Sequence, residues 1–394
     1  MRKPLTTVGA LTAAVLIALA MLAGCSTTPD PPSEEASQPP KVPSGRDLPG
    51  WAHMVGLAAD GSGFALLAKC VQDVERPENG FCRQYVAILD KGASQWRLRK
   101  APLTEKSGTD GISADLRVLG PGRAWMRDWI EEDRHRTWFT ADGGRTWQVR
   151  DVKRAGEVRS IPKGAALSTL CGPPTAPDGL ECPKDRLMVM SPDDGRLRQL
   201  NANPPLAGRL HPATYAEPDG SWWVSGQDPS SGAPAVAVSR DAGRTWTTSM
   251  LDSPVKKPGW GVRVSVGDGV VYAAEMGELP AGEPVKNPVR AIHRSRDGGR
   301  TWERTWTTGR EREPRTLAGV LVPGKGDALR LHAESGTFTS PDGGRTFHRT
   351  GRGPGLGHAS TVPLGRLVTA GACGHRISAD GERWTTFTVG TCEN

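Results

Sequence analysis

The chain has 394 residues, 37% hydrophobic and 24% charged, with 49 Gly, 33 Pro and a formal net charge of +7. That length holds one large core or two domains, and so much Gly and Pro favours turns and short strands over long helices. Lys and Arg are scattered rather than run together, which argues against a nucleic-acid-binding role.

Arg2 and Lys3 precede an uncharged, mostly apolar run, VGALTAAVLIALAMLAG, that stops at Cys25. This is the layout of a secretory signal over residues 1–24. The junction Leu22-Ala23-Gly24-Cys25 resembles the bacterial lipobox, which implies lipidation of Cys25 and a new N-terminus there. Two acyl chains on Cys25 anchor durably where one does not. Residues 25–48 contain no aromatic residue and are rich in Pro, Ser, Thr and Glu. Such a segment buries too little surface to offset its ordering entropy and reads as an extended tether. The expectation is export and anchoring to the outer side of the bacterial cytoplasmic membrane, with a folded domain over residues 49–394. No later stretch has the length and apolarity of a membrane-crossing helix.

Beyond Cys25, six of the seven cysteines fall in sequence-local pairs: Cys70 with Cys82, Cys171 with Cys182, and Cys373 with Cys392. An exported chain favours disulfides, and these three pairings are the expected ones among the many that six cysteines allow. There is no CxxC and no paired His spacing, so no metal and no cofactor is expected.

The folded region is organised by a repeat. TADGGRTW (140–147), SRDAGRTW (239–246), SRDGGRTW (295–302) and SPDGGRTF (340–347) share one pattern. SADGERW (378–384) is one residue short, SPDDGRLR from Ser191 lacks the aromatic, and LDKGASQW from Leu89 carries an extra residue before Trp96. The aspartates of the seven copies are Asp90, Asp142, Asp193, Asp241, Asp297, Asp342 and Asp380, spaced by 52, 51, 48, 56, 45 and 38 residues. Short β-like runs such as QYVAIL, AVAVS and GTFTS precede the copies, and runs such as TWQVRDV or TWTTSML follow. Strand, tight Asp/Gly turn, strand is a hairpin. One or two further apolar runs lie upstream in each unit, for example VRVSVGDGVVYAAE at 262–275. Four strands per unit and seven units predict an all-β fold: a single seven-bladed β-propeller of four-stranded antiparallel blades.

The octapeptide resembles the Asp-box, or BNR repeat, of sialidases, sortilin-type receptors, xyloglucan-active glycosidases and photosystem-assembly propellers. The resemblance implies that each copy is the turn between the third and fourth strands of a blade, on the rim away from the ligand-binding face. The residues fit a turn device. Asp297 can accept backbone N–H groups of its own turn. Gly144, Gly243, Gly299 and Gly344 can take positive φ. Trp147, Trp246, Trp302, Phe347 and Trp384 are suited to filling space between sheets. A calcium loop would need more converging oxygens than the one or two carboxylates each copy offers.

Function is then to be sought on the opposite face. A sialidase-like exo-glycosidase acting on extracellular glycans needs three arginines, a Tyr nucleophile with a Glu partner, and an Asp acid/base. No F/Y-R-I-P motif precedes Asp90, and the chain has only Tyr85, Tyr215 and Tyr272. Tyr272 has a near carboxylate in Glu275, but residues three apart in a strand face opposite sides. Xyloglucan-type glycosidases form their cleft between two propellers, and one propeller cannot. No nucleophile elbow or phosphate loop occurs in the folded region, so no catalytic residue is assigned. The reading favoured is a monomeric, non-catalytic, lipid-anchored scaffold that binds an envelope protein or glycan. Its candidate contacts are Arg127, Trp129 and Arg134 in WMRDWIEEDRHRTW, Tyr272, Glu275, and Arg312 and Arg315 in GREREPR.

Overall fold

Each Asp/Gly octapeptide turns one antiparallel strand into the next. In the fifth unit the flanking strands are Val289–Ser295 and Glu303–Thr307. Strands alternate their side chains, and here both faces are buried. In Val271–Met276, Val271 and Ala273 point into one apolar cluster and Tyr272, Ala274 and Met276 into another. The computed structural model describes residues 38–103, 105–107, 114–131, 134–171, 185–252, 259–279, 285–310, 312–352, 357–371 and 373–392. Cys25, most of the expected tether and Cys182 lie outside them.

The described residues form seven sheets, each built on four strands, in chain order around a ring. This is the seven-bladed β-propeller that the repeat spacing predicts. Among the described residues the only helical element is the 3-10 turn Pro77–Asn79. The first blade carries an extra short strand, Lys106–Ser107, paired to Phe81 and Cys82.

The apolar core is divided into seven clusters, one at each seam between neighbouring blades. Phe64, Leu66 and Met126 fill the seam between blades 1 and 2. Leu67, Trp96, Ile377 and Phe387 fill the seam that closes the ring. The box aromatic packs on the preceding blade. Trp302 meets Trp223 edge-on with ring centroids 6.3 Å apart, and Phe347 meets Trp306 at 4.9 Å. Trp147, Trp246 and Trp384 lie against their own preceding seams in the same way.

The turn chemistry is local. Asp297 accepts the backbone N–H groups of Arg300 (3.0 Å) and Thr301 (2.9 Å) and the hydroxyls of Ser295 (2.8 Å) and Thr301 (2.6 Å). Ser295 Oγ in turn accepts the N–H of Gly299, at 2.8 Å. Gly299 has φ +87, and a Cβ there would lie 2.4 Å from the Trp223 ring, so both conformation and contact require glycine. The same network recurs at Asp142, Asp241 and Asp342, and a shortened form at Asp380. The N–H and then the hydroxyl of Thr245 hold the Asp241 carboxyl down at about 2.

Two degenerate copies differ. In the third, Asp193 is not the turn acceptor: its carboxylate faces Arg123 at 3.6 Å. Asp194 accepts the Arg196 N–H at 3.1 Å and pairs with Arg198. With two adjacent aspartates and no aromatic to fix the turn, the one whose arginine partner lies within the turn's own hairpin takes the role. In the first copy the Asp90 carboxylate pairs with Arg97 instead of capping its turn.

The third blade has a second departure. In the other six sheets the first strand in sequence is innermost and all pairs are antiparallel. Here Arg154–Val158 lies on the outer edge, parallel to Leu197–Leu200, and Ala166–Cys171 is innermost. The segment RAGEV is exposed and has little to bury at a seam, whereas the innermost strand Val262–Val266 buries three valines. Blade 4 spans the space left on the inside. Thr214 accepts the Leu167 N–H at 2.8 Å, and the Tyr215 hydroxyl accepts the Val118 N–H of blade 2 at 3.0 Å.

Ring closure joins the two ends of the folded region. Gly45 pairs with Val389, and Trp51 with Gly390. The Cys373–Cys392 disulfide fixes the C-terminal segment to the loop between the second and third strands of blade 7. Cys70–Cys82 bridges the corresponding strands of blade 1. Cys171 is disulfide-bonded, and the expected partner Cys182 lies outside the described residues.

Candidate functional site

In each regular blade the turn after the innermost strand and the Asp-box turn lie on one face. The connections between blades lie on the other. The central channel contains a cavity on each side. The cavity toward the face opposite the Asp-boxes has a volume of about 500 Å³. It is walled by innermost strands: Arg117 from blade 2, Arg209 and His211 from blade 4, Arg263 from blade 5 and His358 from blade 7. Because blade 3 has no first strand inside, its second strand supplies Ser168 and Thr169 to the wall. Trp260 stands at the mouth with 53% of its surface exposed, its N–H bonded to the Met276 carbonyl at 2.9 Å.

Two of the arginines are held by carbonyl groups. Arg263 donates through Nη1 to the carbonyls of Gly319 (2.7 Å) and Leu317 (3.3 Å). Arg117 donates through Nη1 to the Leu167 carbonyl at 3.0 Å. Among the described residues, none of Arg117, Arg209 and Arg263 forms an ion pair with a carboxylate. Their proximity to the imidazoles shows in the titration of both. Burial, then the charge of Arg209, lower the His211 pKa, with Asp185 opposing and Arg263 adding. Burial and then Arg263 lower that of His358. Neutral imidazoles beside guanidiniums result. Gly261, at φ +98, lets the chain pass His211, since a Cβ there would lie 2.4 Å from its ring.

Glu217 lies at the inner end of this cavity and is committed elsewhere. Its carboxylate pairs with Arg366 of blade 7, accepts the Val266 N–H of blade 5 at 2.7 Å, and accepts the Thr361 hydroxyl at 3.3 Å. The pair is buried, with Glu217 3% and Arg366 2% exposed. Glu217 and Thr361 also border the second cavity, of about 750 Å³, which opens among the Asp-box-side turns. That chamber is apolar in character, lined by Leu119, Pro121, Trp222, Pro363 and Leu364 among others. The clamp therefore separates a cationic chamber from an apolar one.

The contact residues expected from sequence lie away from the cationic cavity. Arg127 stacks on Trp125, 5.0 Å from its ring, at the seam between blades 2 and 3. The side chains of Trp129 and Arg134 are outside the described residues. Tyr272 is buried and donates its hydroxyl to the Asp327 carbonyl at 3.3 Å. Glu275 is buried beside His293 (3.4 Å) and Arg290 (3.9 Å), on the other side of its strand from Tyr272. Arg312 stacks on Trp306 at 3.9 Å, and the Arg315 N–H donates to Glu313 at 3.2 Å. No tyrosine lines the cavity. Burial pushes the phenols of Tyr215 and Tyr272 up to about 12, so both stay protonated.

The lining residues were missed because each lies alone in an ordinary strand. A weak signal exists: Leu116-Arg117-Val118, Gly208-Arg209-Leu210 and Val262-Arg263-Val264 repeat Arg between non-polar neighbours in innermost strands.

No family model and no curated protein matches the chain. Solved structures do match. The GH74 enzyme of Niastella koreensis is 14% identical, with 85% of this chain and 54% of that one covered and a TM-score of 0.28. YCF48 of Cyanidioschyzon merolae is 14% identical, with 70% and 84% covered and a TM-score of 0.36. An ancestral GH74 enzyme is 10% identical, with 89% and 47% covered and a TM-score of 0.47. The chain spans about half the length of the two GH74 enzymes. These are likenesses of fold.

Proposed function

We propose that the chain is an exported, lipid-anchored, non-catalytic propeller that binds an envelope glycan or protein through the face opposite its Asp-boxes. One observation carries the reading. The cavity on that face offers guanidiniums, imidazoles and a tryptophan for binding, while its lining holds no tyrosine and its one carboxylate is tied to Arg366. Glycoside hydrolysis works through a paired acid and base or nucleophile. Three arginines favour the sialidase-like alternative, but Tyr215 and Tyr272 are buried phenols bonded elsewhere. The Cys70–Cys82 and Cys373–Cys392 disulfides support an oxidising, exported setting.

The test is cross-linking in intact cells followed by identification of what is bound. Wild type is compared with a variant carrying Arg209→Ala and Trp260→Ala. The double variant is expected to lose the bound component, and equal recovery overturns the assignment of this face. A fluorogenic sialoside is expected to remain uncleaved, and turnover that tracks the purified protein overturns the non-catalytic reading. Cys25→Ala is expected to release the protein from membranes, and unchanged retention overturns lipid anchoring.

A further inference from the structure

Arg117, Arg209 and Arg263 come from three different blades and face one cavity of about 500 Å³. Guanidiniums stay charged at every physiological pH. None of the three is ion-paired among the described residues, and the one carboxylate in the cavity lining, Glu217, is paired with Arg366. Gathering three like charges is unfavourable unless an anion joins them. Arg263 and Arg117 each use Nη1 on main-chain carbonyls, which fixes them and leaves their other N–H groups available. His211 and His358 are held neutral beside them, and each neutral ring offers one donor and one acceptor, suited to hydroxyls. Trp260 adds an exposed aromatic face at the mouth. The negative face of an indole attracts the polarised C–H groups of a sugar ring.

Resting on the binding role proposed above, we infer that this cavity takes a saccharide bearing at least two negative charges, phosphate or carboxylate. A single carboxylate would leave two of the three arginines unmatched. A neutral sugar would use Trp260 and the imidazoles but leave all three charges bare. A cavity of this size suits one or two sugar residues, within the roughly 300–1,000 Å³ range of small-ligand sites.

Isothermal titration of the full chain in detergent tests this with four probes. They are tri-galacturonic acid, glucose 1,6-bisphosphate, maltotriose and N-acetylneuraminic acid. At least one of the two multiply charged probes is expected to bind, and which one does so separates carboxylate from phosphate recognition. Maltotriose and N-acetylneuraminic acid are expected to bind at least tenfold more weakly. Arg209 is exposed and supports no other group, so Arg209→Ala is expected to keep the melting temperature and weaken binding about tenfold or more. Trp260→Ala is expected to weaken it several-fold. Equal affinity for maltotriose or N-acetylneuraminic acid overturns the inference. So does an unchanged affinity in Arg209→Ala, or no binding of either multiply charged probe below about millimolar. If the in-cell component is still lost from the Arg209/Trp260 variant while both charged probes fail, the binding face stands and the ligand class falls.

Discussion

Glu217→Gln tests whether the ring is braced across its centre. Glu217 and Arg366 belong to blades 4 and 7, which do not touch at a seam, and the third partner, Val266, belongs to blade 5. Gln keeps an oxygen for the Val266 N–H, puts an NH2 group in place of the oxygen that faces the Thr361 hydroxyl, and leaves the Arg366 charge buried without a counter-ion. Breaking a buried pair on one side costs about 3–5 kcal/mol. The lower end applies here because Arg366 Nη2 also donates to the Val266 carbonyl at 3.2 Å. For a unit spanning Pro39–Asn394, unfolding entropy is on the order of 0.75 kcal/mol per kelvin, so ~3 kcal/mol lowers Tm by about 4 °C. Differential scanning calorimetry measures this directly. Pairing Glu217→Leu with Arg366→Met removes both charges and is expected to recover most of the loss, because a buried pair is often no better than apolar residues of similar volume. A Glu217→Gln shift below about 1 °C, or a double variant less stable than the single one, would refute the brace.

Three further outcomes follow from the fold. Asp297→Ala removes the acceptor of four hydrogen bonds at an exposed turn and should cost about 1–2 kcal/mol by urea titration. Binding of the charged probes should be unchanged, and altered binding would contradict the separation of the two faces. Burial lowers His332 and His375 from 6.5 to about 4, so the folded state binds fewer protons than the unfolded one between those values. Their contribution is complete above about pH 6.5 and is lost as pH falls toward 4, and Asp142 and Asp241, held at about 2, add a further loss below the ordinary carboxyl range. Tm measured from pH 8 to pH 3 should therefore begin to fall below pH 6.5, and a flat profile down to pH 4 would contradict the burial of these rings. Cys373→Ser opens a disulfide that encloses a sequence separation of 19 and should cost about 3 kcal/mol under oxidising conditions. An unchanged denaturation midpoint would show that the Gly45–Val389 pairing closes the ring unaided.

The parts legible in sequence are those set by local chemistry. The box is a local device in which Asp297 reaches residues at most four positions away, so its spelling survives repetition and reveals blade number and spacing. Cys70 and Cys82 are also local, opposite each other on adjacent strands. Trp222 and Trp223 point to opposite seams, as alternation requires. What sequence did not reveal is non-local or negative. The outer placement of Arg154–Val158 follows from the lack of apolar surface in RAGEV, while the repeat count alone predicts a first strand on the inside. Glu217 and Arg366 are 149 residues apart and carry no motif. The cavity arginines each sit in a different blade, and only ring closure brings them to one axis.

The clamp and the cavity are linked by charge as well as by position. Glu217 borders the chamber walled by Arg117, Arg209 and Arg263. Its two oxygens meet Arg366, Thr361 and the Val266 N–H. Pairing with Arg366 makes the partition neutral and leaves the arginine charge for whatever enters from the opposite face. On the Asp-box side the same partition closes a chamber whose lining is mostly apolar, with Arg123 and Lys163 among it. The Asp-box turns thus fasten each blade to its predecessor. The central clamp gives the channel its direction, and the cationic end is where binding is to be sought.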